Sequence, residues 1–187
     1  MKALSGYAEW FWLMAKNWKP VENRKYPLPR SIACDLPVRI YLHASRSDHA
    51  QNSNDLGLIY SILAATPERW WEFCNVDWAK YRGHIIGEIT ITKQMRKFQY
   101  TEVDYIDIGS QQKELEILER EREPCISPWF FGPYGYAVED GVLYDKPILC
   151  RGKLGFFKPD IDILTLAELE HKETREVGTD IVSDRMN

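Results

Sequence analysis

Three charged side chains near the start of the chain have the types and spacing to bind or transform a ligand. Lys19, Glu22 and Arg24 lie within the stretch KPVENRKYPLPR, residues 19–30. An ammonium can contact a phosphate or, when it is desolvated, act as a base. A carboxylate can position a water molecule, and a guanidinium can form paired hydrogen bonds with a phosphate. Because residues two apart in a strand share a face, Glu22 and Arg24 are predicted to point the same way.

The same three residues also have a simpler interpretation. A lysine that follows a helix is favoured by the partial negative charge of the helix C-terminus and can lie at the surface. Glu22 and Arg24 could form only an exposed ion pair, which contributes little to stability. Both interpretations remain open from these residues alone.

Other candidate ligand contacts lie at strand ends and beside a turn. His43 and Ser45 end a predicted strand where the chain leaves the core, although a histidine there can equally be structural. Aromatic rings beside Gly132-Pro133 could stack on an unpaired base, which is worth ~1–3 kcal/mol per base in single-strand binding proteins. Packing in the core is the alternative, and it is preferred for Phe130 and Phe131. The candidate ligand contacts beside this turn are Ser127, Trp129 and Tyr134, and Arg151 is a further candidate for a phosphate contact.

Composition limits the class of protein. The chain has 187 residues, 44% of them hydrophobic, and a net charge of −4. It fits one domain with a packed core, and its charge argues against a broad surface that follows phosphates. No apolar run approaches the roughly 20 residues of a membrane helix, and the first residues lack a signal-peptide pattern. A cytoplasmic protein with no membrane partner is therefore expected.

The charge is unevenly distributed along the chain. Residues 1–30 contain six Lys or Arg against two Glu, whereas residues 158–187 contain four Lys or Arg against eight Asp or Glu. This asymmetry predicts a small anion-friendly region near the start and an acidic tail.

The cysteines and histidines do not predict a metal site. Cys34, Cys74, Cys125 and Cys150 are widely spaced, and there is no C-x-x-C or H-x-x-x-H pair. Four buried thiols in a reducing compartment are expected instead. Because no glycine-rich phosphate loop occurs either, no cofactor is predicted.

Hydrophobic periodicity predicts the elements that must position these residues. Strands are predicted over 2–5, 37–44, 84–92, 130–138 and 152–157. Helices are predicted over 7–18, 56–65, 67–74, 111–123 and 161–169, the first ending before Pro20. This order predicts an α+β fold with a mainly β core, a small β-barrel decorated by helices. The domain covers residues 1–158 with helical insertions near 66–82 and 111–123, and residues 159–187 form an acidic tail, partly helical and then disordered.

Three stretches of the chain resemble ASCH domains of the PUA-like superfamily, and they follow one another in the same order as in that family. Lys19, Glu22 and Arg24 match three of the four fixed positions of the family signature G-x-K-x-x-E-x-R, and Asn17 stands where the glycine is usual. IYLHAS, residues 40–45, is similar to the strand that follows in these proteins. Residues 127–157 resemble their C-terminal half.

The resemblance implies a PUA-like β-barrel whose signature residues line a cleft at one end. Members are associated with RNA or nucleotide binding, a small branch hydrolyses N4-acetylcytidine, and ribonuclease activity has been attributed to others. The chain departs from the family at residues 6–9, which read GYAE. It also carries Glu22 where the amidohydrolase branch has a threonine.

The predicted function is therefore binding of single-stranded RNA, a nucleotide or a modified nucleobase. A base would stack on Trp129 or Tyr134, while Lys19, Arg24 and Arg151 meet phosphate. The alternative is a hydrolase that uses Lys19 and Glu22 as an acid–base pair on a modified nucleoside or on RNA. A third possibility is an interaction module that contacts protein partners through the insertion or the tail.

Overall fold

The computed structural model describes residues 1–47, 54–96 and 127–161. Its strands are β1 (Lys2–Gly6), β2 (Val21–Arg24), β3 (Val38–Ala44), β4 (His84–Arg96), β5 (Tyr134–Leu149) and β6 (Phe156–Phe157). Its helices are α1 (Ala8–Ala15), α2 (Arg30–Ala33), α3 (Asn54–Leu63) and α4 (Pro67–Cys74), and a 3₁₀ turn follows at Trp78–Lys80.

The strands form one curled sheet, a half-barrel, in the order β2-β5-β4-β3-β1-β6. Strands β1 and β3 are parallel, and the other neighbouring pairs are antiparallel. The short strand β2 therefore forms one edge of the sheet, and β1 lies next to the opposite edge. This architecture confirms the prediction of an α+β fold with a mainly β core.

Helix α1 packs against the sheet because it is apolar on nearly every side. Each of its residues from Ala8 to Ala15 is buried, including the carboxylate-bearing Glu9. A helix with this pattern has no face suited to water, so it is covered on all sides. It contacts β3, β4 and β5.

The chain folds back at the end of α1, and this places Lys19 just before the start of β2. The backbone N–H groups of Trp18 and Lys19 both donate to the carbonyl of Leu13, at 2.9 and 3.1 Å. Asn17 has a φ of 58°, in the left-handed region, and its side-chain amide bonds both the N–H and the carbonyl of Gly141. The chain therefore reverses at a position fixed against β5.

Three predicted strands differ clearly from the observed ones. Of the strand predicted over 152–157, only Phe156–Phe157 is observed, as β6. Strand β4 continues to Arg96, beyond the predicted end at Thr92, and β5 runs unbroken to Leu149. The predicted turn at Asp140-Gly141 is a β-bulge within β5: Asp140 has a φ of 52°, and the pairing with β4 shifts register there. An extra residue in one strand bends it without ending it.

Other sequence-based expectations have mixed outcomes. The helix predicted over 67–74 is confirmed, and the short helix α2 was not predicted. Cys34 and Cys74 are exposed, which corrects the expectation of four buried thiols. The helices predicted over 111–123 and 161–169, most of the acidic tail and Cys125 lie outside the described residues.

Within the three described ranges, every helix is too short or too polar to cross a bilayer.

Candidate functional site

A cavity of about 350 Å³ lies between edge strand β2 and the end of β1. Its charged and polar wall consists of Lys19, Glu22, Asn23, Arg24, Ser45 and Asp55. Its apolar wall consists of Tyr7, Trp10, Phe131 and Leu154, and the end of β1 contributes Ser5 and Gly6. This volume is at the small end of the range for ligand pockets, so the cavity suits one small molecule or one base.

The three signature residues meet in this cavity. The Lys19 Nζ lies 2.9 Å from Glu22 Oε2, and the Arg24 Nη2 lies 2.9 Å from Glu22 Oε1. The Lys19 side chain is 2% exposed and that of Glu22 is 9% exposed. The prediction that Glu22 and Arg24 share a face is confirmed. The alternatives of a surface lysine and of an exposed ion pair are wrong.

Lys19 is enclosed on several sides. Its Nζ donates to the carbonyl of Val21 as well as to Glu22, and it lies 5.5 Å from the centre of the Trp10 ring. Burial lowers the pKa of Lys19, and the positive charge of Arg24 lowers it further, although Glu22 opposes both effects. Lys19 therefore gives up a proton more readily than an exposed lysine does.

The two cations hold Glu22 in its charged form. Burial by itself would raise the pKa of this carboxyl group, but Lys19 and Arg24 together bring it below the ordinary value of 4.5. A carboxyl whose pKa is lowered on folding stabilises the fold above pH 4.5, and this contribution is lost as the pH falls through the lowered pKa.

Arg24 also connects edge strand β2 with β1, which lies next to the opposite edge of the sheet. Its Nη2 donates to the backbone carbonyl of Ser5 at 3.0 Å, from edge strand β2 to strand β1. Its Nε is buried and has no hydrogen-bond partner. A side chain therefore joins the two strands between which the cavity lies.

Asn23 positions the aromatic wall. Its Nδ2 donates to the carbonyl of Trp129 at 2.7 Å, and its Oδ1 accepts from the N–H groups of Phe131 and Gly132 at 3.0 and 2.9 Å. These bonds fix the 129–132 turn on β2. Phe131, 44% exposed, faces the cavity 5.9 Å from the Trp10 ring, which corrects its expected place in the core.

Trp129 and Tyr134, predicted as stacking surfaces, are not among the cavity-lining residues. Trp129 is 4% exposed and packs edge-on against Trp10, at 6.2 Å between ring centres, so it supports the wall from behind. Tyr134 lies on β5 opposite Arg24, and its ring is covered by the guanidinium of Arg96. The aromatic wall of the cavity is built from other rings.

The remaining candidates have separate positions. Ser127 Oγ accepts from the N–H of Trp129 at 3.3 Å and stabilises the turn, and Arg151 is exposed beyond the end of β5. Neither lines the cavity described above. Ser45 does line it, and its buried Oγ has no hydrogen-bond partner. His43 is 3% exposed and bonds Ser5 and the carbonyl of Cys150.

Several cavity residues were not predicted from the sequence. Trp10 is one of many apolar residues of α1, and Ser5 is a single small polar residue at a strand end, so neither carries a specific signal. Asn23 stands between two signature residues, and an asparagine close to a turn is a signal that could have been used.

The described part of the chain brings no three His, Cys, Asp or Glu side chains together in a way that could hold a metal ion. No protein-family model matches the chain, and no curated protein is significantly similar to it in sequence.

Proposed function

We propose that the protein binds one nucleobase, in single-stranded RNA or in a modified nucleoside, in the cavity between β1 and β2. One observation carries the proposal: the rings of Trp10 and Phe131 line the same small cavity as the Lys19–Glu22–Arg24 cluster. An aromatic wall can stack on any base, and a few fixed polar groups can bond its edge.

We further propose that the chain is an ASCH domain with a PUA-like barrel. The residues that match the family signature are those that meet in the cavity, which supports this relationship. The curled six-stranded sheet is consistent with a small barrel.

The charges of the cavity favour a base over a phosphate inside it. Glu22 already neutralises one of its two cationic neighbours, and Asp55 adds a second carboxylate to the lining. The lining therefore has no net excess of positive charge. A base must be unpaired to enter such a cavity, so single-stranded RNA is favoured over a duplex.

Replacing Phe131 by alanine tests the stacking surface. Loss of one stacked ring costs ~1–3 kcal/mol, so affinity for a short single-stranded RNA or a nucleoside should fall about 5- to 150-fold. Calorimetric titration measures this change. Trp71→Ala is the matched control, because Trp71 on α4 is 72% exposed and lies outside the cavity. Equal losses in both variants, or none in either, would contradict the proposed site.

A hydrolase is the second candidate, and the buried contact between Lys19 and Glu22 favours it. An amine with a lowered pKa, next to a carboxylate, can take up and return a proton during hydrolysis. The family resemblance implies N4-acetylcytidine or RNA as the substrate.

Lys19→Met distinguishes the two functions. For a hydrolase, turnover of acetylated cytidine or short RNA should fall by about 10²–10⁴, while affinity for the same ligand changes much less. Product formation and binding are measured in parallel, with Lys16→Met as the control, because Lys16 at the end of α1 is 31% exposed and does not line the cavity. A wild-type protein that binds nucleosides but turns over neither substrate would leave only the binding function.

A further inference from the structure

A serine and a histidine face each other on the neighbouring strands β1 and β3. Ser5 and His43 are register partners in this parallel pair, so their side chains lie on the same face of the sheet. The Ser5 Oγ lies 2.9 Å from His43 Nδ1, and His43 Nε2 lies 3.1 Å from the backbone carbonyl of Cys150. Both ring nitrogens are therefore engaged.

These contacts determine which atom carries each proton. A carbonyl can only accept a hydrogen bond, so Nε2 of His43 carries the hydrogen. In a neutral imidazole the other nitrogen is an acceptor, so the hydroxyl of Ser5 donates to Nδ1. Burial lowers the pKa of His43, which keeps the ring neutral near pH 7 and leaves Nδ1 able to accept a proton.

The imidazole is held rigidly in this orientation. The ring of Phe157 packs edge-on against it at 5.6 Å between ring centres. Gly152 packs so closely that an added Cβ would lie 2.1 Å from His43 Cε1. A base within hydrogen-bond reach of a hydroxyl, and oriented by a third group, is the arrangement that activates a nucleophile.

A cation lies next to the same serine. Ser5 lines the cavity, and the Arg24 guanidinium bonds its backbone carbonyl at 3.0 Å. The positive charge of this fixed guanidinium could stabilise negative charge that develops on a group bound beside Ser5.

We propose that Ser5 is a nucleophile, activated by His43, that hydrolyses an ester or amide of a small acyl compound bound in the cavity. This goes beyond base binding, because any acyl compound that enters the cavity could react.

The reaction has two steps. Ser5 Oγ bonds to the acyl carbon as its proton moves to His43 Nδ1, and the leaving alcohol or amine takes that proton as its bond to carbon breaks. Water then attacks the Ser5 ester and gives a proton to Nδ1. The Ser5 oxygen leaves with that proton, and the products are a carboxylic acid and an alcohol or amine.

A small alkyl fluorophosphonate tests the nucleophile directly in the full chain. Ser5 Oγ should displace fluoride and form one phosphonate ester, seen by intact mass and assigned to Ser5 by peptide mapping. Ser5→Ala should abolish the adduct. Ser61→Ala should react like wild type, because the Ser61 hydroxyl donates to Leu58 within α3. His43→Gln should slow labelling by about 10²–10⁴ if it melts like wild type.

A second measurement keeps the test independent of how His43→Gln folds. Wild type should release about one equivalent of nitrophenol from p-nitrophenyl acetate in a burst, because the first turnover leaves an acetyl group on Ser5. Ser5→Ala should show no burst. A folded wild-type protein with no adduct, or with the adduct on another residue, would overturn the proposal. Since nucleoside binding is measured separately, that result would leave the proposed binding function intact.

Discussion

Glu22→Gln is expected to destabilise the fold by about 3–5 kcal/mol at pH 7, because it leaves a buried ammonium without its counter-ion. Lys19 is 2% exposed, and its other hydrogen bond goes to the carbonyl of Val21. Arg24 also loses a partner, but it is 26% exposed, so water can compensate in part. The free energy of unfolding in urea measures the effect.

The cost in this variant has an upper bound and a predictable pH dependence. Lys19 can lose its proton instead of remaining charged, and at pH 7 the deprotonation of a lysine with the ordinary pKa of 10.5 costs about 5 kcal/mol. A lysine whose pKa is lowered on folding binds more protons in the unfolded chain, so stability rises with pH. The difference between Glu22→Gln and wild type should therefore shrink between pH 7 and pH 9.

Two further variants complete this test. Adding Lys19→Met to Glu22→Gln removes the uncompensated charge and should restore most of the lost stability. Glu72→Gln breaks the exposed ion pair between Glu72, which is 48% exposed, and Lys16, which is 31% exposed. This variant should lose less than about 1 kcal/mol of stability. Equal costs for Glu22→Gln and Glu72→Gln would show that the Lys19 ammonium is not enclosed.

Gly152→Ala is expected to cost about 3 kcal/mol, since the new methyl group would overlap the His43 ring. Forcing extra atoms into a packed site costs ~1–3 kcal/mol, and a displaced ring would also lose the hydrogen bonds to Ser5 and Cys150. Thermal unfolding measures the loss, and fluorophosphonate labelling should slow in the same variant.

Gly57→Ala is the control for this substitution. An added Cβ at Gly57 meets no atom within 4 Å, and the residue lies in helix α3. Alanine there should stabilise the fold by up to about 1 kcal/mol. If Gly152→Ala were as well tolerated, the segment after β5 would not pack on His43 as described.

The sequence predicts elements well where the signal is local. The run of β-branched residues in β4 and the proline at the first position of α4 mark the beginnings of these elements, and both begin where predicted. The length of β5 was missed, because Asp140-Gly141 is a turn signal in isolation. Only the packing of Gly141 against the end of α1 makes it a bulge within a strand.

The site shows the same division between local and tertiary information. The shared face of Glu22 and Arg24 follows from strand geometry, so it could be predicted. The burial of Lys19 could not, because it depends on the fold-back after α1 and on the Trp10 ring. Phe131 and Trp129 are near neighbours with similar chemistry, and only the bonds from Asn23 decide which of them faces the cavity.

The hydrogen bond from Arg24 to the Ser5 carbonyl connects two strands of the half-barrel that do not pair with each other. Backbone hydrogen bonds hold the neighbouring strands of the sheet together, whereas β2 and β1 are not neighbours in the sheet and are bridged by the Arg24 side chain. A ligand that forms a hydrogen bond with this guanidinium therefore contacts the bridge between β2 and β1 as well as the cavity. A ligand that draws Arg24 away from Ser5 would remove this bridge between β2 and β1.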